Sequence, residues 1–173
     1  MLKFKLLFFL TLLLIKSNLA FSETIRYINI NDIMNKSKAG LNIISQLNKE
    51  NQILSSNFKN QEDKFKKKES LIISQKNILD KKELEKKIKF LRNEINLYNK
   101  NKILKLKNLE KKKIDAQTEL INFINTIMVD YMDKNSISFI LKKESVFVGK
   151  KELDITNEIL LEIDNKITKI NIK

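Results

Sequence analysis

Residues 77–91, NILDKKELEKKIKFL, decide the fold of this 173-residue chain. Asp80, followed three residues later by Glu83, is a capping-box-like start for a helix. Leu84, Ile88 and Leu91 follow at helical spacing. The apolar series continues through Ile95 and Tyr98, skips through Lys102, and resumes at Leu106, Leu109, Ala116, Leu120, Phe123 and Ile127. The skip is a stutter that relaxes a supercoil locally. The helix can run to about residue 134, where Asn135-Ser136 offers a stop. Upstream of the cap, Ile44, Leu47, Leu54, Phe58, Phe65, Ile72 and Leu79 form a second seam, interrupted by Asn51, Gln61, Lys68 and Gln75. Two heptad seams joined near 77–79 predict an antiparallel helical hairpin over residues 41–127. Each limb of about 40 residues reaches about 60 Å. One unbroken helix is the alternative; the Asp80/Glu83 cap favours the bend.

The flanks differ in character. Residues 24–31, TIRYININ, read as a short strand with Arg26, Ile28 and Ile30 on one face. Asn31 or Asp32 then offers an N-cap, and a helical pattern from Ile33 runs on with little interruption. After the hairpin, residues 136–142 alternate, with Ile137, Phe139 and Leu141 on one face. Lys143-Glu144 is placed to turn the chain into Val146-Phe147-Val148, closed by Gly149, as a β-hairpin. Asp154 caps a last helix bearing Ile155, Ile159, Leu160, Ile163 and Ile167.

The expected architecture is therefore α+β. A small β body is built from N- and C-terminal strands, residues 23–40 and 128–173, with a long helical-hairpin (coiled-coil) arm inserted between them. So small a sheet seldom stands alone. Pooling the strands of several chains solves that, and Ile28, Ile30, Ile137, Phe139, Leu141 and Phe147 are the expected oligomer-body residues.

Residues 1–22 read as a cleavable signal peptide. Lys3 and Lys5 precede an apolar run over 6–15, broken only by Thr11 and ended by Lys16. Ala20-Phe21-Ser22 fits a small-x-small cleavage site. A spanning helix needs about 20 apolar residues, more than this run supplies. Export without a single cysteine points to a compartment such as the bacterial periplasm.

The absences narrow function. There is no cysteine, histidine, tryptophan or proline, and glycine occurs only at positions 40 and 149. Thiol nucleophiles, Cys/His zinc sites, histidine acid–base catalysis and glycine-rich nucleotide loops are all excluded. No cofactor is expected, and no enzyme. Carboxylate pairs such as Glu62-Asp63 lie on polar helix and read as solvated.

Net charge is +13, and its placement is uneven. Residues 59–113 hold 19 basic and 8 acidic side chains, whereas 114–173 hold 8 and 10. A lysine-rich composition alone would spread the excess along the chain. The basic arm residues are Lys66, Lys67, Lys68, Lys81, Lys82, Lys86 and Lys87, with Lys111-Lys112-Lys113 further back. An acidic partner is implied.

The order of elements resembles the Skp/OmpH family of periplasmic chaperones. The resemblance rests on the strand ending Ile28-Asn29-Ile30, the Lys38-Ala39-Gly40 step, the tip 79–86 (LDKKELEK), and the tail in which 137–141 is followed by Asp154-Ile155-Thr156 and a terminal helix. It implies a homotrimer with a pooled β-barrel body and three projecting arms around a cavity. It further implies ATP-independent holding of unfolded outer-membrane β-barrel proteins as clients. Candidate client-binding residues are Phe58 and Phe65, if they face inward, and the off-seam Ile53, Leu71, Ile73 and Phe90. The basic tips suit acidic clients and an anionic membrane surface. A basic coiled-coil adaptor or a nucleic-acid-binding protein is the alternative. Export and only two arginines, Arg26 and Arg92, make nucleic acid an improbable partner in vivo.

Overall fold

The computed structural model describes residues 24–172. The signal-peptide reading, over 1–22, lies outside the described residues. Strand β1 spans Ile25–Ile28 and leads into a short helix α1, Ile30–Lys36. Helix α2, Lys38–Ser74, and helix α3, Lys81–Asn135, form the hairpin. Strand β2, Phe139–Lys142, and helix α4, Thr156–Lys166, complete the order, with 3-10 turns at Lys143–Ser145 and Lys151–Leu153 between them. At 1.5 Å per residue α2 is about 55 Å long and α3 about 80 Å.

The tip forms as its sequence dictates. Asp80 is extended and its Oδ1 accepts the Glu83 N–H at 2.9 Å, so α3 starts with a satisfied cap. The far end also stops where expected. Ser136 adopts the left-handed conformation (φ 51°) and its N–H closes on the Met132 carbonyl.

The entry to the arm departs from the sequence reading in two places. The cap of α1 is Asn29, not Asn31 or Asp32: Asn29 Oδ1 accepts the Asp32 N–H at 3.0 Å, and the Asn29 N–H donates to Thr156 Oγ1 at 2.9 Å. The strand therefore ends at Ile28, and Ile30 opens a helix instead of continuing the strand face. The helix is then interrupted at Ser37. Fully buried, Ser37 caps α2 by accepting the Gly40 N–H at 3.1 Å. The α1–α2 joint is tight because residue 40 is glycine. A Cβ there would lie 1.9 Å from the Met34 carbonyl oxygen.

The two strands pair in parallel, Ile25 with Phe139 through Ile28 with Lys142. A parallel pair cannot be closed by a tight turn; here the whole arm is the crossover. The expected β-hairpin between 136–142 and 146–148 does not form. Lys143-Glu144 lacks the Asn or Gly that a two-residue hairpin turn needs, so the chain enters a 3-10 turn and leaves the sheet. Phe147 is wholly exposed. On its other edge β1 makes a single bridge, Tyr27 to Asp154.

The core sits at the arm's base, where α1, the start of α2, the end of α3 and α4 meet. Ile33, Leu120, Ile124, Ile159 and Ile163 are completely buried there, each worth about 2 kcal/mol of transfer free energy. The seams shift accordingly. Ile43 is buried where the pattern suggested Ile44, and Ile124 where it suggested Phe123. At the base each limb meets body helices as well as its partner, which rotates the preferred inward position. Asp154 accepts the Thr156 N–H at 3.1 Å and so caps the first turn of α4 from one residue further out than a regular N-cap.

Ile167, expected on the last helix, is extended and begins a tail beyond α4. Gln46 clasps it: Nε2 donates to the Ile170 carbonyl at 2.6 Å and Oε1 accepts the Ile172 N–H at 3.3 Å. Ile170 is buried beneath this clasp.

A candidate client-binding face on the arm

Four polar rungs tie the limbs together. They are Glu50–Lys112 at 2.6 Å, Glu62–Lys102 at 2.7 Å, Lys68–Glu94 at 2.7 Å and Gln75–Lys87 at 2.9 Å. As the α2 partner advances from 50 to 75, the α3 partner retreats from 112 to 87, so the antiparallel register is constant. Of the polar positions that dilute the seams, Lys68, Gln75 and Lys102 thus bond across it, while next to Asn51 and Gln61 the neighbouring Glu50 and Glu62 do so. Lys102, read as a skip, lies half-buried across the seam. Its Nζ binds Glu62 and lies 5.1 Å from the Phe58 ring centroid.

Around that rung sits an aromatic cluster. Tyr98 meets Phe65 at 5.3 Å and Phe58 at 6.3 Å between ring centroids, edge to face. Its hydroxyl donates to Glu62 Oε1 at 2.8 Å. Desolvation, then the hydrogen bond and charge of Glu62, push the Tyr98 phenol up to about 12. Glu62 moves the other way, lowered by hydrogen bonds from Lys102 and Tyr98.

Phe58 and Phe65, offered as client-binding candidates, are therefore corrected: both are buried between the limbs, at 9% and 8% exposure. Both rings pack edge to face on Tyr98 of the opposing helix. Ile53, Leu71, Ile73 and Phe90 are all exposed, by 54–66%.

Two of these four share a groove. A cleft of about 570 Å³ near the tip is lined by Lys68, Leu71, Ile72 and Gln75 from α2 and by Lys86, Lys87, Phe90, Leu91 and Glu94 from α3. Its lining atoms are predominantly apolar and its rim is cationic. A second cleft of about 700 Å³ continues toward the base, past Gln61, Lys64 and Phe65 on one side and Leu97, Tyr98, Leu104 and Lys105 on the other. Glu94 lines both, and the Lys68–Glu94 bridge crosses where they meet. Ile53 belongs to this face by geometry, since it precedes Leu71 by five full turns of α2. Ile73 points about half a turn away. Leu97 and Leu104 are exposed partners on this face that the sequence reading missed. Their signal was present as a seven-residue spacing from Phe90.

The basic side chains cluster as the charge count implied. Lys66, Lys67, Lys68, Lys81, Lys82 and Lys86 are exposed, and Lys87 is half-buried against Gln75. Lys66 is within 3.8 Å of Asp63 and Lys68 is bound to Glu94. Among the described residues no helix is long and apolar enough to cross a membrane.

In the body, Ile28 and Ile137 are buried in the core of the single chain, and Ile30 is half-buried against it. Phe139, Leu141 and Phe147 are exposed. The outer edge of β2 pairs with no strand among the described residues.

The comparisons with known proteins agree with this layout. Residues 24–163 match the family described as outer membrane protein (OmpH-like). No curated protein matches the sequence significantly. Among solved structures, the fold is similar to that of an OmpH-like protein from Caulobacter crescentus CB15, described as a candidate outer membrane chaperone. The TM-score is 0.81 at 16% identity, covering 86% of this chain and 88% of that one. With a strand-and-helix base, a helical hairpin of constant register and a family match across most of its length, the chain belongs to the OmpH-like (Skp/OmpH) family.

Proposed function

We propose that this protein is a periplasmic chaperone that holds unfolded outer-membrane β-barrel proteins without nucleotide, acting as a homotrimer whose arms surround the client. The observation that carries the reading is the exposed apolar face of the arm, with Leu71 and Phe90 in a lysine-rimmed cleft and Ile53 on the same side. An unfolded barrel chain alternates apolar and polar residues and aggregates through its strand edges. Many shallow apolar contacts, each worth about 25 cal/mol per Å² shielded, bind such a chain and still release it. The lysines at the tip raise the local concentration of acidic clients and suit an anionic membrane surface.

The trimer reading is supported by the body. Strand β2 presents an edge that no strand among the described residues pairs, together with exposed Phe139, Leu141 and Phe147. An edge of this kind is a pairing template, and copies of the same body are its nearest source of strands. Membership of the family supports a non-enzymatic role and a periplasmic location.

The test is the mass of the mature protein in solution, alone and with a urea-unfolded outer-membrane barrel, together with light scattering of the diluted client. A trimer that binds one client chain and suppresses scattering is expected. A monomer without effect on scattering overturns the reading.

A further inference from the structure

The groove face of the arm has a period of its own. Phe90, Leu97 and Leu104 stand seven residues apart on α3 and all are more than 60% exposed. Along the helix they are spaced by about 10.5 Å. An extended client strand brings like-facing side chains to repeats of about 6.6 Å or about 13 Å, and neither matches. A second helix with apolar residues in heptads repeats at the same 10.5 Å and does match. The two clefts supply the length: their α3 lining runs from Lys86 to Lys105, about three heptads.

The electrostatics select the partner. The clefts are lined by Lys64, Lys68, Lys86, Lys87, Lys102 and Lys105 and by one carboxylate, Glu94. Glu94 is already held by Lys68, Lys102 by Glu62, and Lys87 by Gln75. Lys64, Lys86 and Lys105 have no carboxylate within 4 Å among the described residues. These three unpaired cations flank the apolar ladder at its tip end, its base end and on the opposing limb. Another copy of this arm would bring its own excess of cations against them, so charge disfavours self-docking.

We propose that this face is a helix-docking site for a partner protein, which lays an acidic amphipathic helix along Phe90, Leu97 and Leu104 and sets carboxylates against Lys64, Lys86 and Lys105. Such helix-in-groove recognition buries the heptad side chains of the incoming helix and reads its charge at the rim. The docking site shares Phe90 and the tip cleft with the client-holding face, so a docked helix and an unfolded client compete for it.

The experiment uses the mature protein and three labelled three-heptad peptides. One carries leucine at heptad positions with flanking glutamates. One has the same composition in strict alternation. One replaces glutamate by lysine. Binding is read by fluorescence anisotropy and helix formation by circular dichroism. The acidic heptad peptide is expected to bind and gain helix, and Leu97→Ser or the pair Lys86→Glu, Lys105→Glu is expected to weaken it about tenfold. Since these side chains are exposed, the unfolding midpoint of each variant should match the parent and separates lost docking from lost folding. Equal binding of the alternating or the lysine peptide, no binding, or indifference to Leu97→Ser overturns the proposal. A concentration-dependent rise in mass that Leu97→Ser abolishes gives the face to a second copy and also overturns it. Suppression of client aggregation is a separate readout, so failure here leaves the holdase proposal to its own test.

Discussion

Tyr98 on α3 and Glu62 on α2 are joined by a hydrogen bond between the limbs: the phenol donates to Glu62 Oε1 at 2.8 Å, and Lys102 donates to the same oxygen at 2.7 Å. Removing the hydroxyl by Tyr98→Phe keeps the ring contacts with Phe58 and Phe65 and should cost about 1 kcal/mol in denaturant unfolding. The phenol is held at about 12, above its ordinary 10.0. The stability it contributes is intact below pH 10 and is lost as pH rises from about 10 to 12, because the unfolded chain releases the proton first. The difference between the parent and Tyr98→Phe should therefore shrink across that window. A constant difference would contradict the pairing.

Asp154 is the corresponding group in the body. Burial by itself would raise its carboxyl, yet hydrogen bonds from Lys143 and Thr156 outweigh burial and hold it below 3.8. Its contribution is present above the ordinary value and is lost as pH falls through the lowered one. Asp154→Asn should be less stable at neutral pH and should lose part of the parent's acid sensitivity below about pH 4. Thermal unfolding at stepped pH measures both.

Gly40→Ala tests the α1–α2 joint. The new methyl would meet a backbone carbonyl, which has no rotamer to escape into. A loss of about 3 kcal/mol is expected in equilibrium unfolding.

Phe90→Ser and Leu71→Ser should leave stability within about 0.5 kcal/mol, since both side chains are exposed. Aggregation suppression of an unfolded barrel should fall several-fold. Phe58→Ser should do the reverse in emphasis, costing about 3 kcal/mol of stability through lost packing.

Client capture should slow as salt rises above physiological levels, because the tip lysines are exposed and their attraction is screened over about 8 Å. Stopped-flow capture rates that ignore salt would remove the lysines from the mechanism.

The arm was legible in sequence because its determinants are local. Apolar spacing, the Asp80 cap and the Ser136 stop each act within a turn or two of helix, and each lies where the pattern placed it. The localised charge was equally legible, since counting requires no contacts. What depended on distant partners was not. Strand β2 pairs with β1 across the whole arm, against the expected local hairpin. Asn29 turns the chain because Thr156, 127 residues later, takes its N–H. The seam left Phe58 and Phe65 either between the limbs or facing a client, and their contacts with Tyr98 and Lys102 decided for the limbs. Sequence by itself determined the helices, their bend and their charge, all set by neighbours along the chain. Tertiary structure decided where the limbs depart from the expected seams, burying Ile43 and Ile124 beside the expected Ile44 and Phe123, and which apolar side chains they leave on one open face. That choice depends on the register between limbs, and the register is fixed by cross-limb rungs such as Glu50–Lys112 that no local pattern encodes.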